Sequence, residues 1–68
     1  MKQLKAFIKE NLQSFSNLSN SETYEYKVKH ISKDIVNYLK SNHRFDYGGI
    51  CVYYVSASNE VWVENILA

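Results

Sequence analysis

The chain has no proline, only two glycines and a single cysteine in 68 residues. Without proline, no position is barred from a helix or a ladder by a missing N–H. Breaks must come instead from the pair Gly48-Gly49, the polar run Ser16–Ser21 and Ala57-Ser58-Asn59. A lone Cys51 excludes an internal disulfide. Cys51, His30 and His43 offer no CxxC or HxxxH spacing for a zinc site, so no metal or cofactor is expected. No apolar run approaches the roughly 20 residues that cross a membrane. The N-terminal MKQLKAFIKENLQSF carries a lysine every few residues and lacks the apolar stretch of a signal peptide, so a cytoplasmic location is expected. Charge of one sign is also missing. A net charge of +1 exerts no strong pull toward nucleic acid.

What is present is apolar and aromatic. Hydrophobic residues make up 46% of the chain, and six Tyr, three Phe and one Trp supply large areas to bury, which excludes a disordered segment. The length allows one domain, residues 1–68, with a core that is marginal by size. Such a chain is stabilised by close packing, by a second copy or by a partner.

Leu4, Phe7, Ile8, Leu12 and Phe15 recur at helical spacing, which predicts an amphipathic helix over 2–15. Ser19-x-x-Glu22 has the form of a capping box and marks a second helix start. Over 20–42, Tyr24, Val28, Ile31, Ile35 and Tyr38/Leu39 form a helical stripe, with acids at its start and basic residues at its end, as the macrodipole favours. The same stretch also reads as a strand over Tyr24–Lys29, which alternates and is rich in β-formers, followed by a helix from Ser32. The single helix is the preferred reading. Beyond the glycines, Ile50–Val55 and Val61–Leu67 are β-branched and aromatic around a short polar turn, which predicts a hairpin. The fold class is α+β: two helices packed on a C-terminal antiparallel hairpin (α-α-β-β), with α-β-α-β-β as the alternative.

Few residues suggest catalysis. Cys51 lies in an apolar strand, where a thiol behaves as a small hydrophobe rather than a nucleophile. Glu60 and Glu64 flank Trp62 as an ordinary strand face would. Gly48-Gly49 lacks the lysine and Ser/Thr of a phosphate loop. The densest cluster of functional side chains is His43-Arg44-Phe45-Asp46-Tyr47, expected on a loop between helix and hairpin. No enzyme is expected.

With a turn at Ser58-Asn59, Ile50, Val52, Tyr54, Val61, Val63 and Leu67 share a core face. The opposite face then carries Cys51, Tyr53, Val55, Trp62 and Ile66 beside Glu60 and Glu64, too apolar for plain solvent. A two-stranded sheet also has open edges, which points to a homodimer through the hairpin or to a protein partner. The candidate binding residues are therefore Trp62, Tyr53, Glu60, Glu64, His43, Arg44, Asp46 and Tyr47.

In size and composition the chain is similar in general character to accessory proteins of phages and mobile elements. That likeness implies a small inhibitor that binds and blocks a host enzyme such as a defence nuclease. The alternative is a nucleic-acid-binding accessory protein, using Lys2, Lys5, Lys9, Lys27, Lys29, Lys33, Lys40 and Arg44 with interleaved tyrosines.

Overall fold

A computed structural model describes residues 1–68. Helix α1 (Lys2–Glu10) buries Leu4 and Ile8. The chain then kinks at Asn11, whose side-chain amide donates to the Phe7 carbonyl at 2.9 Å, and a short α2 (Leu12–Ser16) carries the buried Phe15. The expected helix over 2–15 is thus present in two pieces, broken where an asparagine competes for its own backbone.

The capping-box signature forms half of its pattern. The Ser19 N–H donates to Glu22 Oε1 at 2.8 Å, yet a turn results and no helix follows. Strand β1 (Tyr24–Lys27) comes next, then a single 3-10 turn (Val28–His30), then α3 (Lys33–Asn42). This corrects the preferred reading of one helix over 20–42 and matches the alternative, a strand from Tyr24 and a helix capped by Ser32. The Ser32 hydroxyl accepts from the Asp34 N–H at 3.3 Å, and Asp34 lies in the first turn. Packing decides against the longer helix. As a strand, Tyr24 and Tyr26 set both rings on one face, against Phe15 and Phe7 at centroid distances of 5.5 and 5.4 Å.

A second correction concerns residues 44–47. They form strand β2 (Arg44–Tyr47), not a loop. Gly48-Gly49 turns β2 directly into β3 (Ile50–Val55), with φ of +60° and +81°. That is the two-residue hairpin turn whose backbone needs φ > 0 at both centres, hence the paired glycines. A Cβ on Gly49 would also run into Leu67.

Strands β3 and β4 (Glu60–Asn65) close around Ser56–Asn59, with Val55 opposite Glu60. The loop is four residues instead of the expected two, so the register moves by two and the paired residues keep their expected faces. Ile66 and Leu67, expected in the strand, lie beyond its end at Asn65, and Leu67 is 80% exposed, so it is not the core residue that the alternation predicts. Asn59 takes φ +54° and accepts from the Tyr54 hydroxyl at 2.8 Å.

All four strands form one antiparallel sheet in the order β1-β4-β3-β2. The sheet is therefore larger than the hairpin of the preferred reading; the strand of the alternative reading forms one edge as β1, and β2 is the strand that neither reading placed. The hairpin occupies its centre, its own two edges paired with β1 and β2, which become the outer edges of the sheet. A second copy cannot extend the sheet through the hairpin, contrary to expectation. Leu4, Ile8 and Phe15 join Ile31, Ile35, Val36 and Leu39, and this helical layer packs on Ile50, Val52, Val61 and Val63 as one core. No buried polar side-chain atom lacks a partner. No helix is long and apolar enough to cross a membrane.

Candidate functional site

Because the core takes every second residue of each strand, the intervening residues share the face that the helical layer leaves uncovered. The pairings set them in rows. Glu25, Trp62, Tyr53 and Arg44 cross all four strands; Glu64, Cys51 and Asp46 run beside them, and Lys27, Glu60 and Val55 on the other side.

At the centre, the rings of Trp62 and Tyr53 meet edge to face with centroids 6.2 Å apart, both half-buried. The indole N–H donates to Glu60 Oε1 at 3.1 Å. That bond is the main cause holding the Glu60 carboxyl below the usual range, helped by Ser58 and Lys27. Lys27, its side chain mostly in solvent, reaches Glu60 only at 3.9 Å, a long contact that contributes little.

On β2, Arg44 grips Asp46 with Nε at 3.1 Å and Nη2 at 2.9 Å to both carboxylate oxygens. Burial alone would raise the Asp46 carboxyl. The neighbouring Cys51 thiol and the Arg44 fork outweigh it and hold Asp46 low.

Cys51 lies beneath this surface with 2% of its area exposed. Burial, reinforced by Asp46 opposite, pushes its thiol up to about 12. It is protonated at neutral pH and no nucleophile. Burial first, then the carboxylates Glu64 and Glu25 and the Cys51 thiol, raise the Tyr53 hydroxyl.

Six of the eight expected site residues, Trp62, Tyr53, Glu60, Glu64, Arg44 and Asp46, thus share one uncovered face. Tyr47 does not. It points to the helix side, where the Lys5 and Lys9 ammonium groups lie 5.7 and 5.8 Å from its ring. His43 sits at the rim, closing α3 with φ +71° and ψ −51°, and lines a shallow hollow with Arg44, Cys51, Tyr53 and Glu64. A β-carbon at that φ is strained.

Sequence reasoning missed Glu25, which stands directly opposite Trp62 on β1. Its signal was the alternation of Tyr24-Glu25-Tyr26-Lys27, legible only once that stretch is taken as a strand. No group of three or more His, Cys, Asp or Glu side chains is placed to hold a metal ion. No protein-family model, curated protein or solved structure matches the chain.

Proposed function

We propose that the chain is a non-enzymatic protein-binding module whose docking surface is the uncovered sheet face centred on Trp62 and Tyr53. The observation that carries this reading is the placement of an indole and a phenol at the middle of a sheet whose other face buries the whole core. Interface hot spots are enriched in Trp, Tyr and Arg and are ringed by polar groups, which is the pattern here. The buried, protonated Cys51 supports binding over catalysis. The face is carried by a hydrogen-bonded four-stranded sheet packed on the core, so its side chains are in place before association. A small cytoplasmic inhibitor that blocks a host enzyme, such as a defence nuclease, is the form of this activity that the size and composition suggest.

A photoreactive side chain tests the face. Placed at Val55, on the open face, it is expected to cross-link a protein from the native cell extract; placed at Lys33, on α3, it is expected to give none. Equal labelling from both positions, or labelling from Lys33 alone, would refute the reading.

One observation favours a second reading, nucleic-acid binding. Away from the open face, six lysines stand against three carboxylates, so that side of the molecule is basic. Gel-shift at two salt concentrations checks it, with a salt-sensitive complex expected from that reading alone.

A further inference from the structure

The open face is charged as well as aromatic, and its sign is opposite to that of the helix side. Four carboxylates (Glu25, Asp46, Glu60 and Glu64) share it with two cations, Lys27 and Arg44. Those two cations are engaged. Arg44 spends its fork on Asp46, and Lys27 reaches Glu60. Glu25 and Glu64 have no cation within ion-pair distance; Glu25 accepts only from the Thr23 hydroxyl at 3.3 Å.

These two free carboxylates bracket the aromatic pair. Glu25 stands across the strand from Trp62, and Glu64 lies two residues along β4 from it. The indole N–H is already given to Glu60, so an incoming group meets π-density and carboxylate oxygens, with no indole donor to spare. Such a constellation accepts hydrogen bonds and attracts positive charge. It repels a phosphate backbone.

Resting on the docking reading above, we infer that the partner's matching surface is cationic: an arginine-bearing protein surface that lays a guanidinium on the Trp62–Tyr53 pair between Glu25 and Glu64. Arginine fits better than lysine. Its plane stacks on an aromatic ring while its edge donates in parallel to a carboxylate, and it sheds water more readily.

The test is a heteronuclear NMR titration of the whole chain with a terminally blocked tri-arginine peptide, run beside tri-glutamate and a short oligothymidylate. Tri-arginine is expected to move the Trp62 indole N–H and the amides of Tyr53, Glu25 and Glu64, and the shifts are expected to shrink at about 0.5 M salt, where charges are screened within a few ångströms. Glu25→Gln together with Glu64→Gln should weaken the interaction by about fivefold or more while leaving the spectrum folded. Overturning results would be shifts spread over the surface, shifts confined to Glu10 and Asp34 on the helices, or the same resonances moved equally well by the oligonucleotide. Failure of tri-arginine together with a Val55 cross-link would remove the cationic assignment and keep the docking face. A cross-link from Lys33 alone would remove the docking face itself.

Discussion

On the helix side of the sheet, Val52, Val61 and Val63 lose all contact with solvent; one residue along in the same strands, Tyr53 and Trp62 keep part of their surface exposed. The first set are compact and β-branched, sealed by Leu4, Ile8, Phe15 and Leu39 from the helices. The second set are large, amphipathic and hemmed by carboxylates, with no helix above them. The same ladder hydrogen bonds serve both faces. What differs is the side chains: those on one face build the core, and those on the other form the docking surface proposed above.

The largest expected effect lies on the sealed side. Phe15 is fully buried and packs against Phe7 and Tyr24. Phe15→Ala should cost about 3–5 kcal/mol, most of the stability of a domain this small. Chemical denaturation would show a midpoint moved far toward water; a midpoint near that of the wild type would mean that α2 contributes little to the core.

Cys51 blurs the contrast, being buried on the open face, and alkaline pH exposes it. Its folded thiol titrates near 12, above the ordinary value of about 8.5 for an unfolded chain. Above pH ~8.5 the unfolded chain therefore binds fewer protons than the folded one, and stability falls as pH rises toward 12. The raised hydroxyls of Tyr26 and Tyr53 add a loss of the same sign. Cys51→Ala should flatten the early part of this decline in denaturation curves measured across alkaline pH. An unchanged profile would place the thiol in contact with water. In keeping with a protonated thiol, Cys51 should also resist alkylation at neutral pH until the chain unfolds.

The smallest effect is expected at the rim. His43→Gly removes a β-carbon from a backbone at φ +71° and should stabilise the chain by about 1 kcal/mol. A loss of stability would show that the imidazole itself holds α3 to β2.

The two-faced pattern was legible in the sequence before the sheet was. Alternation around Trp62 assigned the residues of β3 and of Glu60–Glu64 to their sides, and a slip of two in the loop left that assignment intact, while Ile66 and Leu67 fell beyond the strand. Other elements were hidden. Tyr24–Lys27 satisfies a helical stripe and a strand alternation at once, and only the aromatic contacts to Phe7 and Phe15, distant in sequence, decide between them. Arg44–Tyr47 carries charged and aromatic residues that suit a loop; the β3 edge, reached through paired glycines at φ > 0, draws it into the sheet. The tie from the Asn65 side chain to the Ser16 carbonyl, 3.0 Å across 49 residues, has no local signature at all. Glu25 was invisible as a site residue for the same reason that β1 was ambiguous.

Trp62→Ala tests the central claim most directly, provided that thermal unfolding and partner capture are measured on the same preparation. The indole is only partly exposed but lies outside the core cluster, so the variant should still unfold cooperatively, with a loss of about 1–2 kcal/mol. Capture of the protein that cross-links from Val55 should fall by about 2 kcal/mol or more, thirtyfold or beyond, as for a hot-spot truncation. A variant that captures the partner as well as the wild type, or that loses its fold along with its partner, would contradict the account and return Trp62 to the structural side of the sheet.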